Sequence, residues 1–231
     1  MERFILVLLI LLSRALMVVF LFPLVNCVKG LTAKRQGDDS AYRQGRITLD
    51  PRAHFDLAGC LATMLIGFGW PKPMPMSPVR MNNYKKGIIL VSLSGPAAYL
   101  VLAVIFRYIA ELIAGCAGVE TFGIKLNIIG FIIMLFMRLS NISVCIGVFH
   151  LLPIPPLDGF NILHQLGGKK FNKWYYSNYD KIHKYSEIVL WAVILMPVFS
   201  GGLLDPLGWL IGLVQKLVAL TASWIPLVFE R

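Results

Sequence analysis

The side chains best suited to chemistry gather at the end of one apolar run, His150-Leu151-Leu152-Pro153-Ile154-Pro155-Pro156-Leu157-Asp158-Gly159. An imidazole and a carboxylate at this spacing can ligate a divalent metal, exchange a proton or pair with a cation. Each proline fixes φ near −65° and removes a backbone donor, so no regular helix passes through unchanged. Irregular backbone at membrane depth survives only when buried in protein or lining a polar cavity. A carboxylate at that depth is costly enough to suggest function by default. The plainer alternative is a loop that ends a transmembrane helix, with Asp158 capping the next one. Cys27, Cys60, Cys116 and Cys145 form no C-x-x-C pair and sit in or beside apolar runs, so they read as packing residues and not as a zinc or disulfide framework.

The elements that must position these groups are membrane spans. The 231 residues are 57% hydrophobic and only 15% charged, too little charge to cover a soluble domain of this length. The net charge of +10 has its simplest origin in basic loops that orient the spans. No stretch alternates basic and aromatic residues over a polar surface, so nucleic acid is not an expected partner. Residues 4–25 form the first span, read as retained and not as a signal peptide. Arg14, near its middle, is expected in a structural ion pair. Residues 29–52 are polar and basic, and residues 45–51 look like a short strand ended by Pro51. Residues 57–70 are apolar but too short for a crossing and are followed by Pro71-Lys72-Pro73-Met74-Pro75-Met76-Ser77-Pro78. With basic residues on both flanks, a re-entrant or peripheral segment followed by an extended edge fits best near residues 57–80.

The second span covers residues 87 to about 112 and carries Ser94-Gly95-Pro96, small residues that admit a neighbouring helix closely. The third covers residues 127–152, with Arg138, Ser140, Asn141 and Ser143 as a polar patch expected to pair with neighbouring helices. Residues 169–185 are basic and aromatic, as at a membrane interface. Residues 188–199 and 203–229 read as a helical pair interrupted at Pro197 and at Ser200-Gly201-Gly202. Residues 29–52, 72–86 and 169–184 hold most of the Lys and Arg and should be cytoplasmic, with the loop near Glu120 outside. Residues 29 and 158 then share the cytoplasmic side.

Several segments together resemble one family. Residues 151–159 are similar to the Asn-x-x-Pro…Leu-Asp-Gly motif of the site-2 proteases, the intramembrane zinc metalloproteases. Residues 45–56, which include His54, resemble the Gly-Arg-Leu-Thr-Leu-Asn-Pro-x-x-His-Ile-Asp segment of the small bacterial branch. Residues 67–78 resemble its Gly-Trp-Ala-Lys-Pro-Val-Pro-Val-Asn-Pro loop, and Ser94-Gly95-Pro96 its Ala-Gly-Pro. The resemblance runs in order from about residue 20 to residue 165. It implies an all-α polytopic membrane protein with a core of about five or six helices and a re-entrant segment. The chain would be a single domain over residues 1–231, with its core at about 4–165 and a C-terminal helical pair at about 186–229.

In that family two His of His-Glu-x-x-His, at i and i+4, bind Zn²⁺ while the Glu acts as general base. Counting from Pro23 and from Gly37-Asp38 puts Val25, Asn26 and Lys29 at the first His, the Glu and the second His, within Val25-Asn26-Cys27-Val28-Lys29. Valine has no lone pair, asparagine takes no proton from water at neutral pH, and lysine puts an ammonium where a cation would sit. Of the three implied ligands Asp158 remains, and Pro155, Gly159 and His54 are the other retained motif positions. His150 stands at the motif's Asn. One expected replacement for the metal is an ion pair between Lys29 and Asp158, with Asn26 alongside; the other reading has Lys29 snorkelling to the cytoplasm without meeting Asp158.

The resemblance therefore implies a catalytically inactive member, without cofactor, in a bacterial plasma membrane with the degenerate site toward the cytoplasm. Its expected partners are the lipid bilayer and a transmembrane or extended peptide client. The alternative is an active protease with Zn²⁺ on a rebuilt site of His54, His150 and Asp158. A permeation role lacks inverted repeats or paired broken helices.

Overall fold

The structure, a computed structural model, describes residues 2–67, 69–117, 128–200 and 203–225. Phe68, Gly118, Glu120, Lys125, Asn127, Gly201, Gly202 and Phe229, used in the sequence reading, lie outside the described residues. Among the described residues every regular element is helical: α1 (Glu2–Leu16), α2 (Phe22–Arg35), α3 (Ser40–Arg43), α4 (Leu57–Ile66), α5 (Tyr84–Cys116), α6 (Ile128–His150), α7 (Asp158–Leu166), α8 (Lys169–Ser177), α9 (Tyr179–Phe199) and α10 (Pro206–Ala222). Three helical stretches are long and apolar enough to cross a membrane: Arg3–Arg35, Tyr84–Cys116 and Ile128–His150. The chain is thus an all-α polytopic membrane protein.

The first span is α1 and α2 joined without a break. A proline inside a helix clashes with the carbonyl four residues back and removes a hydrogen bond. Pro23 avoids this because the helix widens into a π-helical stretch at Met17–Leu21, where the Phe22 N–H donates to the Met17 carbonyl. The helix then continues to Arg35, ten residues beyond the expected end at Val25. Residues 25–29 therefore keep helical register instead of lying in a loop.

The centre of the molecule is the pairing of α5 with α6, on which α2 and α10 pack. Lipid tails are as apolar as leucine, so such helices associate through close packing and interhelical hydrogen bonds. Met17, Leu21, Phe22 and Val25 from the first span meet Tyr99, Leu102 and Phe106 of α5 and Leu139 and Ile146 of α6 in one buried cluster. Ser140 Oγ of α6 donates to the Ala103 carbonyl of α5 at 2.7 Å. On α1, Phe4, Val7 and Leu11 are exposed, as expected for a helix facing lipid.

Between α2 and α5 no described helix is long enough to cross a membrane. The 10-residue α4 rises about 15 Å, half of the hydrocarbon thickness. Residues 71–77 that follow have no regular structure. Two expectations are corrected here. Residues 45–51 form no strand, because Asp50 caps a 3₁₀ turn at Pro51–His54 by accepting from the Arg52 N–H and so bends the segment away from extended pairing. Arg14 makes no ion pair among the described residues. Its guanidinium donates to the Met64 and Leu65 carbonyls at 2.7 and 3.0 Å, where α4 ends with unpaired acceptors and a negative dipole. At the other end of the chain, α9 runs through position 197 to Phe199 instead of stopping before it.

Charge-assisted hydrogen bonds of this kind contribute about 1.5–3 kcal/mol, so Arg14→Met should release α4 from α1. Cys60 on α4 is buried. Maleimide labelling of Cys60 should accelerate in Arg14→Met, whereas an unchanged rate would show that other contacts hold α4.

Candidate functional site

Lys29 projects from the middle of α2, and Asp158 opens α7 directly after the proline turn. The turn itself has a cis bond between Pro155 and Pro156. A Cβ on Gly159 would collide with the Leu151 carbonyl, so only glycine lets α7 start this close to the end of α6. Lys29 Nζ lies 2.8 and 2.9 Å from the two Asp158 carboxylate oxygens. His150, the last residue of α6, brings Nδ1 to 3.1 Å from Asp158 Oδ2. A carboxylate offers only acceptors, so Nδ1 carries the proton. The imidazole stacks against Tyr99 of α5 with ring centroids 6.2 Å apart.

The lysine stem needs room to cross α5, and Gly95 provides it. A Cβ at that position would stand 2.9 Å from Lys29 Cδ. The Ser94-Gly95-Pro96 segment thus admits a side chain and not merely a helix backbone. Asp158 is buried, with 9% of its side chain exposed, and Lys29 has 15%. Burial pushes the Asp158 carboxyl up, but the His150 hydrogen bond and the Lys29 ammonium outweigh it and hold the carboxyl below its ordinary range.

Asn26 does not join this cluster. Its amide Nδ2 donates to the Lys72 carbonyl at 3.1 Å and faces His54 Nδ1 at 3.3 Å. His54 Nε2 lies 2.8 Å from the Thr48 carbonyl, so Nε2 carries the proton and Nδ1 accepts from Asn26. Burial pushes the His54 imidazole below its ordinary value, which keeps it neutral in this role. Val25 contributes no polar atom and belongs to the apolar core. Cys27 and Cys145 are half-buried thiols without a metal cluster around them.

The extended loop is held from three directions. Arg46 donates to the Lys72 and Pro73 carbonyls at 3.1 and 3.2 Å, and the Lys72 N–H donates to the His54 carbonyl at 2.9 Å. The fully buried Asp38 carboxylate accepts from the Ser77 N–H at 2.6 Å and from the Ser40 N–H at 3.0 Å. Sequence reasoning missed Arg46 and Asp38 as functional supports. Asp38 served there only to set the register of the motif, and Arg46 only as part of a strand-like segment.

These residues do not fit a zinc ion. A structural or catalytic zinc site needs at least three N, O or S ligands from the protein. Among the described residues no group of three His, Cys, Asp or Glu side chains converges. The alternative donor set is split, since His54 is spent on Thr48 and Asn26 while His150 is bonded to Asp158. The Lys29 ammonium occupies both Asp158 oxygens.

The chain is 31% identical over 147 residues to a protein of Bacillus subtilis (strain 168) named "Putative zinc metalloprotease YwhC". The similarity covers 63% of this chain and spans 64% of that relative's length. No family model matches the chain, and no solved structure matches it.

Removing one partner of a buried ion pair strands the other charge at a cost of about 3–5 kcal/mol. Lys29→Met and Asp158→Asn should each destabilise the protein in denaturant titrations by this order, and the double variant should lose less than the sum of the two. A carboxyl held low stabilises the fold at pH above its unfolded value and loses that contribution as pH falls through the folded value. Wild-type stability should therefore fall steeply below about pH 4, and Asp158→Asn should lack this acid limb. Additive single variants, or an acid limb retained in Asp158→Asn, would contradict the pair.

Proposed function

We propose that this chain is a member of the site-2 protease family of intramembrane metallopeptidases whose metal site has been replaced by an ion pair. It holds transmembrane or extended polypeptide segments without cutting them. The observation that carries this reading is the Lys29 ammonium seated on both oxygens of Asp158. With Val25 and Asn26 at the other motif positions, no ligand set and no general base remain where the family's chemistry takes place. The similarity to YwhC supports the metallopeptidase ancestry. The distribution of Lys and Arg supports a cytoplasmic orientation of the site in a bacterial plasma membrane.

In this reading the client lies in a groove along the extended loop, and the way that loop is held supports it. Asn26, Arg46 and Asp38 spend three buried polar side chains, and His54 its backbone carbonyl, on fixing one extended loop beside the position a metal would take. An extended edge of this kind can pair with the backbone of an unfolded client. A loop without a role would not need such support.

Purified protein should carry well under one equivalent of zinc by inductively coupled plasma mass spectrometry. Val25→His, Asn26→Glu and Lys29→His combined should bring it to about one equivalent, because two imidazoles one helical turn apart then face Asp158. Stoichiometric zinc in the wild type that disappears in Asp158→Ala would instead favour a rebuilt metal site.

A further inference from the structure

The polar patch of α6 splits into two halves. Ser140 and Ser143 point inward, donating to the Ala103 and Leu139 carbonyls. Arg138 and Asn141 do not. Among the described residues neither has a hydrogen-bond or ion-pair partner, Arg138 Nε is shielded from solvent, and Asn141 is exposed. Residues three apart share a helix face. Half-buried Met134 and Cys145 extend the same stripe, opposite the side of α6 that Ser140, Ser143 and Gly147 bury.

Arg138 lies near the middle of the 23-residue α6, roughly 15 Å of helix rise from either end. An arginine at that depth is costly, and natural intramembrane cations pair with an acid or with backbone carbonyls. The other deep guanidiniums of this protein obey the rule, Arg14 on the end of α4 and Arg107 on Glu111. Arg138 alone among these three lacks its acceptor.

We propose that the Arg138–Asn141 face of α6 is a docking surface for a transmembrane helix of another protein that carries an Asp or Glu near its middle. A planar guanidinium matches a carboxylate with two parallel hydrogen bonds, and the Asn141 amide adds a donor and an acceptor across the helix interface. Lipid phosphates sit at the bilayer surface and cannot reach this depth. A second copy of this chain does not fit either. The only carboxylate in its described membrane-crossing helices is Glu111, which is buried and already bonded to Arg107, and two copies meeting on this face would oppose Arg138 to Arg138. The surface is separate from the Lys29–Asp158 junction, so it stands whether or not that junction has lost its metal.

The test uses the full chain in phosphatidylcholine nanodiscs and fluorescent Leu/Ala-rich transmembrane peptides with one central Asp or one central Leu. The Asp peptide should bind roughly three- to thirtyfold more tightly than the Leu peptide, and Arg138→Met should erase the difference. Because Arg138 has no partner among the described residues, the thermal midpoint of Arg138→Met should equal or exceed that of the wild type. Equal binding of the two peptides, a preference that survives in Arg138→Met, or a marked loss of stability in that variant would each overturn the proposal. In the first two cases binding of either peptide would leave the client-holding role of the groove intact.

Discussion

A buried carboxylate must be paired, and the end of the molecule where α2, α6 and α7 meet is arranged around pairing Asp158. Three donors converge on it, two contacts from Lys29 and one from His150, delivered by helices far apart in sequence. Their meeting depends on backbone decisions elsewhere. The π-helical stretch lets α2 run past Pro23, Gly95 opens a path for the lysine stem, and Gly159 starts α7 against the end of α6. In a metalloprotease of this architecture a divalent ion would tie the same helices together. Here a single side chain supplies the positive charge, and it brings its own reach and its own packing needs.

The ion pair and the loop divide residues 25–29 between two tasks. Val25 has joined the apolar core and Lys29 the charge pair, while Asn26 has turned to the extended loop. A glutamate at position 26 would set a carboxylate against the Lys72 carbonyl, whereas an amide donates to it. Val25, Asn26 and Lys29 are thus each chemically consistent with their surroundings.

The membrane class and the three long spans were legible in the sequence because apolar runs of more than twenty residues admit few other structures. Helix ends were less legible: α2 continues to Arg35 through polar residues because α5 packs beside it, and no propensity in residues 26–35 announces that. Residues 45–51 alternate as a strand would, yet local capping by Asp50 prevails where no partner strand exists. Arg14 was identifiable as a deep cation, but its acceptors are backbone carbonyls of α4, which carry no residue-type signature. At the site, the sequence specifies which groups stand at positions 25, 26, 29 and 158. The directions of Asn26, Arg46 and Asp38 emerge only from the fold, because each bonds main-chain atoms.

A crystal structure of the protein prepared in excess zinc, with anomalous data collected across the zinc edge, tests the central claim most directly. The account predicts Lys29 Nζ within about 3 Å of both Asp158 oxygens and no anomalous peak at the junction. A peak bonded to Asp158, with the lysine displaced from it, would contradict the account.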